Sequence, residues 1–191
     1  MGEIEGQIVD AELDAERDAR RQLALAQIRQ YPDPALRMKA KPVEEFDDDL
    51  RSLVDRMSGL MVDAVGVGLA ATQVGILRRV FVFDRGEEKG VAALVNPVIA
   101  AQSDELQTED EGCLSLQRVL VPVERPSSVR IEGKDERGKD VGYDLEGNPA
   151  RCVQHELDHL DGVLIVDRTT PEERRRVLGE LRPEPVLAPI S

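Results

Sequence analysis

The amino-acid sequence predicts an α+β fold built on one main domain, and two observations carry that expectation. Between about residues 79 and 145, short β-rich runs alternate with turn chemistry. On either side lie segments with helical periodicity or helix-favouring composition. At 191 residues the chain can bury one sizeable core and is too short to make two domains the default.

Residues 1–27 read as an acidic extension with a marginal helix. Ala11 to Gln30 is rich in Ala, Glu, Arg, Gln and Leu, but its apolar positions before Ala19 make only a thin stripe. Tyr31-Pro32-Asp33-Pro34 stops this segment, because each proline lacks a backbone donor and biases its predecessor toward extended geometry. The main domain is expected over 28–181. Its clearest helix carries Phe46, Leu50, Leu53, Val54, Met57, Leu60, Met61 and Ala64 at three- and four-residue steps, with Asp47 to cap it and Gly66 to stop it. Gly66 to Gln73 reads as a loop entering a strand.

Strands are expected at 79–83, 92–95, 119–123, 128–132 and 140–145, the last two joined by a hairpin turn at Asp135-Glu136-Arg137-Gly138. Asn148 as a cap, Pro149 as first helical residue and Gly162 as a stop bracket a helix of about three turns. Pro171 opens a last helix to Leu181, and 182–191 is expected to be a flexible, proline-rich tail.

Composition excludes several functions. With 38 acidic against 25 basic side chains the formal net charge is −13, which disfavours direct nucleic-acid reading. No apolar run is long enough for a membrane span, and residues 1–20 have neither a signal peptide's apolar core nor a transit peptide's lack of acids. A cytoplasmic protein is expected, in which Cys113 and Cys152 serve metal binding or packing rather than a disulfide.

The chemistry is carried by His155-Glu156-Leu157-Asp158-His159. Residues four apart on a helix share a face, so both imidazoles can reach one metal ion with the Glu156 carboxylate beside it. With only two histidines in the chain, this spacing and glutamate arise by chance about once in a thousand sequences. A third protein ligand is needed if one position is to stay open for water. The place of a third histidine six residues on is Ile165, and no spacing singles out Glu172, Glu173, Glu180 or Glu184. Cys152 lies about 7.5 Å along the helix axis from the level of the metal, too far for a cysteine, which makes packing its expected role. Cys113, in Glu111-Gly112-Cys113-Leu114-Ser115, is the better candidate.

Three segments, Gly66-Val67-Gly68-Leu69-Ala70-Ala71-Thr72-Gln73, Glu111-Gly112-Cys113-Leu114-Ser115 and Gln154-His155-Glu156-Leu157-Asp158-His159, resemble in order the motifs of the peptide deformylases. The resemblance extends from about Ile28 to Leu178; Thr72 stands where proline is frequent in the family. It implies a cytoplasmic α+β enzyme with small antiparallel or mixed β-sheets packed around a central helix bearing the His-Glu-x-x-His motif, and further N- and C-terminal helices. It implies removal of the formyl group from nascent polypeptides that begin with formylmethionine, with transient contact to the ribosome.

By that resemblance Cys113, His155 and His159 hold one divalent metal ion, Fe²⁺ physiologically, which Zn²⁺, Ni²⁺ or Co²⁺ can replace. Glu156 is the general base, and the Gln73 side chain with the Leu114 backbone N–H stabilises the oxyanion. Gly66, Val67 and Gly68 resemble an edge to which substrate adds as a strand, and Arg118 resembles a basic residue near the substrate backbone. Val67, Leu120, Cys152 and Val153 are candidates for the methionine pocket. Arg151 can face either solvent or the pocket rim, and Asp158 is expected beside the imidazoles or on the helix surface. Two other functions compete on sequence alone: a metallopeptidase with a carboxylate third ligand, and a catalytically idle metal-binding module.

Overall fold

The computed structural model describes residues 2–86 and 89–181, with 2–13 described by their backbone alone. The tail expected at 182–191 lies outside the described residues. Among the described residues four α-helices and seven strands follow one another, beginning with α1 (Gly2–Leu25) and α2 (Asp48–Asp63). α1 starts earlier and ends sooner than composition suggests. It ends where Ala24 and Leu25 become buried against α2, and Ile28 joins the same core after a tight turn.

The apolar stripe of α2 buries Leu50, Val54, Met57, Leu60 and Met61, and the Asp47 carboxylate accepts from the Leu50 N–H at 2.8 Å. Gly66 is not the left-handed stop expected of it. Val65 takes that conformation at φ +59, its N–H bonding Val62 O and the Gly66 N–H bonding Met61 O. Gly66 meets a different need: a Cβ there would stand 2.7 Å from Leu114 Cδ1, so the missing side chain lets the Leu114 loop close on the helix end.

The strands are β1 (Gly68–Ala70), β2 (Val80–Asp84), β3 (Val91–Gln102), β4 (Leu106–Cys113), β5 (Leu116–Pro126), β6 (Ser128–Lys134) and β7 (Asp140–Glu146). They form a five-stranded sheet in the order β1-β2-β3-β6-β7 and a β4-β5 hairpin. Every strand pairing in the two sheets is antiparallel, so the mixed alternative drops out. β3 runs well past its expected end because Pro97 falls at a register shift between Val95 and Val98, where no ladder bond is asked of it. β4 has no counterpart among the expected strands. Its side chains are exposed except at Glu111 and Cys113, so it shows no apolar alternation.

α3 (Gly147–Leu160) begins one residue before the expected cap. Glu146 is its N-cap, so Asn148 is not, and Pro149 sits third in the helix, where its missing N–H is still no loss. α3 packs against β1, β2, β6 and β7 on one side and against β5 on another. Val153 and Leu160 enter a core with Phe81, Phe83, Leu94 and Ile131. α4 (Pro171–Glu180), capped by Thr170, drops Val177 into a further core with Val121, Val123 and Leu164 beneath the hairpin. α3 thus lies between the five-stranded sheet and the hairpin, and its two flanks receive side chains from both.

Candidate metal centre and substrate cleft

Two elements that share no hydrogen-bond ladder bring the candidate ligands together. α3 presents His155 and His159 one turn apart with their Nε2 atoms 3.1 Å from each other. Cys113, at the end of β4, sets its Sγ 3.3 Å from His159 Nε2. The three ligand atoms lie within 4.8 Å of one another. Two nitrogens and a sulfur so gathered match the donors that Zn²⁺ and other first-row cations take, so the residues fit a metal ion. Burial holds the His159 imidazole well below its usual pKa, in the neutral form that ligates. Burial acts the same way on His155, but hydrogen bonds with Cys113 and Glu111 override it and raise its pKa, so a cation has to displace that proton.

Glu156 is buried at the same level, and its Oε2 has no hydrogen-bond partner. Burial raises its pKa to about 7, with the negative Glu111 nearby adding to the shift. Such a carboxyl can take up and return a proton near neutral pH. Cys152 lies outside the ligand cluster, as its axial distance requires. Its Sγ contacts Val67 O at 3.2 Å, and burial pushes its thiol pKa well up. Gly68 makes room for both neighbours, since a Cβ there would stand 2.4 Å from Glu156 Oε1 and 2.8 Å from Cys152 Sγ.

Gln73 is held at both ends of its amide. Its Oε1 accepts from the Ala70 N–H at 2.8 Å, and its Nε2 donates to Ser115 Oγ at 3.1 Å and points along Cys113 Sγ at 3.7 Å. Thr72 donates to His159 O at 3.1 Å and so joins this turn to the last turn of α3. Leu114 packs beside Gly66 and lines the cleft with Gln73. The cleft is about 1010 Å³ and also includes Gly66, Val67, Gly68, Arg118 and Leu120. β1 is an edge strand of its sheet, a position to which a further strand can add. Val153 is not on the wall: it is fully buried in the core under the sheet.

The imidazole partner is Glu111, not Asp158. His155 Nδ1 lies 3.0 Å from Glu111 Oε2, while Arg125 grips both oxygens of Glu111 at 2.6 and 2.9 Å. Arg125 then reaches Asp158 at 2.9 Å, and Asp158 also receives Arg168. Arg151 turns inward, donating to Glu111 Oε1 and Val123 O. Burial alone would raise the Glu111 pKa, but the bonds from His155 and Arg125 hold it far below the usual carboxylate range. Glu111 precedes Cys113 by two residues, a spacing that puts both on one face of a strand. That was the signal available for it, and Arg125 had none.

The family model for polypeptide deformylase matches residues 25–175. The chain belongs to the peptide deformylase family. It is 45% identical to peptide deformylase 1 of Corynebacterium glutamicum over 162 residues, 84% of this chain and 96% of that one. Among solved structures it is similar to a peptide deformylase from Legionella pneumophila (TM-score 0.77, 40% identity, 81% of this chain and 91% of that one). A second is the peptide deformylase of Thermotoga maritima (TM-score 0.72, 46% identity, 75% and 97%). Among the described residues, no helix of this family member is long and apolar enough to cross a membrane.

Proposed function

We propose that the protein is a cytoplasmic, metal-dependent peptide deformylase that hydrolyses the N-formyl group of formylmethionyl nascent peptides and releases formate. The observation that carries this reading is the meeting of Cys113 Sγ with the two Nε2 atoms beside an unpartnered, buried Glu156 carboxylate. Cys113, His155 and His159 would hold one divalent cation. Fe²⁺ is the physiological ion on this reading, and Zn²⁺, Ni²⁺ or Co²⁺ are competent substitutes. When bound, the cation supplies Lewis acidity, which lets water lose a proton near neutral pH.

The chain's own groups do the rest. The edge of β1 receives the peptide as an added strand alongside Gly66, Val67 and Gly68, with Arg118 meeting the substrate backbone. Glu156 takes the proton from the attacking water and later gives it to the departing amine. The Gln73 amide, fixed by Ala70 and Ser115, and the Leu114 N–H donate to the oxygen on which negative charge develops. Because these donors are held before substrate arrives, little reorganisation is left for the transition state. Substrate emerging from the ribosome would need only transient contact with it.

The test is formate release from a formyl-Met tripeptide by anaerobically purified protein. Wild type should turn over, and Glu156→Ala should lose at least about 10²-fold in kcat while keeping its metal. Cys113→Ala should lose the metal. A variant that retains metal without Cys113 would favour a metallopeptidase with a carboxylate ligand, and metal binding without formate release would favour an idle module.

A further inference from the structure

The two donors proposed for the oxyanion come from separate parts of the chain, Gln73 from the turn Ala71–Val74 and Leu114 from the connection between β4 and β5. Something has to keep them in register. The bond from Gln73 Nε2 to Ser115 Oγ spans them, but it uses the same amide that has to meet substrate. A third segment, Ile28 to Tyr31, lies against both. The Arg29 N–H donates to Gln73 O at 2.7 Å, and the Tyr31 N–H donates to Ser115 O at 2.8 Å. Between them, the Gln30 side chain donates from Nε2 to Leu114 O at 3.0 Å. The segment is itself seated in the core. Ile28 is buried with Leu25, Leu69 and Val74 in the cluster on which Leu114 packs, and Tyr31 packs on the cluster that holds Leu116.

Each end of the Gln30 amide is engaged. Its Nε2 also donates to Ile28 O at 3.2 Å, and its Oε1 accepts from Gln117 Nε2 at 3.1 Å. Two carbonyl oxygens at one end and an amine at the other leave the amide a single orientation. The peptide unit that Gln30 grips is held from its other side as well: the Ser115 N–H, in the same plane as Leu114 O, points at Cys113 Sγ at 3.4 Å. That plane meets the Leu114 N–H through one Cα, so fixing it leaves only the two Leu114 backbone torsions to aim the donor.

We propose that Gln30 is a positioning residue for the oxyanion site: it clamps the loop 113–117 to the segment that also holds Gln73, so that the Gln73 amide and the Leu114 N–H converge on one oxygen. This rests on the deformylase reading. The groups that Gln30 aims act on charge that develops in the transition state, so its loss should lower kcat and kcat/KM together and leave KM alone. The size follows from what remains. Gln30 is half-buried, and the backbone bonds from Arg29 and Tyr31 persist without its side chain, so the loop loosens rather than leaves. The loss should be about 5–10-fold, short of the roughly 10²-fold that a missing donor or a full 1 Å displacement costs.

The experiment uses metal-loaded full-length protein and two variants of different chemistry. Gln30→Met keeps the length of the side chain and loses its bonds to Ile28, Leu114 and Gln117; Gln30→Glu keeps the acceptor toward Gln117 but sets a carboxylate against the Leu114 and Ile28 carbonyls. Gln27→Met, at an exposed position three residues earlier, is the control. Formate release from a formyl-Met tripeptide should fall about 5–10-fold in kcat for both Gln30 variants, with KM within about two-fold of wild type, metal content unchanged and Gln27→Met as wild type. Hydrogen exchange followed by mass spectrometry should show the amides of 113–117 opening about five-fold more readily in Gln30→Met, the effect of one lost hydrogen bond. Wild-type kcat in either Gln30 variant, a loss confined to KM, or an equal loss in Gln27→Met overturns the proposal. If wild type releases no formate, the deformylase reading fails and exchange alone decides the clamp; unchanged exchange at 113–117 rejects it in either case.

Discussion

Replacing Gly68 by alanine tests the geometry around Glu156 most directly. The added methyl carbon would lie 2.4 Å from Glu156 Oε1 and 2.8 Å from both Glu156 Cδ and Cys152 Sγ. Comfortable contact for such atoms is about 3.5 Å, so roughly 1 Å of separation has to be found. β1 cannot readily supply it, because Gly68 is buried and paired with Phe83, and the preceding Val67 carbonyl is held by the Asp84 N–H. The Glu156 carboxylate, with one oxygen unpartnered, is the group that gives way. A displacement of about 1 Å at a reacting group costs on the order of 10²-fold in rate, and overpacking of this kind costs about 1–3 kcal/mol of stability. For a chain of this size that is a fall of several degrees in Tm, about 2–4 °C per kcal/mol. Steady-state formate release, metal content and thermal unfolding are the three measurements. Metal content should not change, since Gly68 touches no ligand. A double-mutant cycle locates the effect: in a Glu156→Ala background, Gly68→Ala should cost little more activity. Wild-type kcat in Gly68→Ala, or equal losses with and without Glu156, would refute the reasoning.

Two other substitutions probe the supports of the site. Glu111→Gln keeps the shape of the His155 partner but leaves Arg125 and Arg151 without a shared carboxylate; it should weaken metal affinity about 10–100-fold in chelator competition. The same variant should lose about 3–5 kcal/mol in denaturant unfolding, less whatever Asp158 still returns to Arg125, and unaltered metal affinity would deny Glu111 its positioning role. Asp47→Ala removes the α2 cap far from the chemistry. It should cost about 1 kcal/mol, seen as a lower Tm with kcat unchanged.

What the sequence disclosed follows from how local each signal is. α2 showed itself through its stripe, and the α3 helix through the spacing of His155 and His159, because both patterns repeat within a few residues. β4 stayed hidden for a physical reason. A two-stranded ribbon is held by backbone pairing to β5, and the one side chain that β4 buries fully, Glu111, is charged. No rule that looks for apolar alternation can find such a strand. The helix stop expected at Gly66 falls at Val65 for a similar reason: glycine signals either a left-handed turn or a close approach, and only the position of Leu114 tells them apart.

The site divides along the same line. Two of the candidate ligands and the proposed base sit within five residues of one helix, whereas the third candidate arrives from β4 of the hairpin. What holds Cys113 against the histidines is therefore a long-range problem, and the buried charges are its solution. Glu111 stands two residues from Cys113 and bonds His155, while Arg125 on β5 joins Glu111 to Asp158 of α3. Each of these charges would be costly to bury alone, so the network forms only when β4, β5 and α3 meet in one arrangement. Its members, at 111, 125, 151 and 158, share no periodicity, and although Glu111, Arg151 and Asp158 each stand near a motif residue, nothing in the sequence joins them to one another or to Arg125. The desolvation that makes the network expensive also makes it exacting. A small slip of the hairpin along α3 would leave charges unpaired, so the position of the Cys113 sulfur is fixed by groups outside the candidate ligand set.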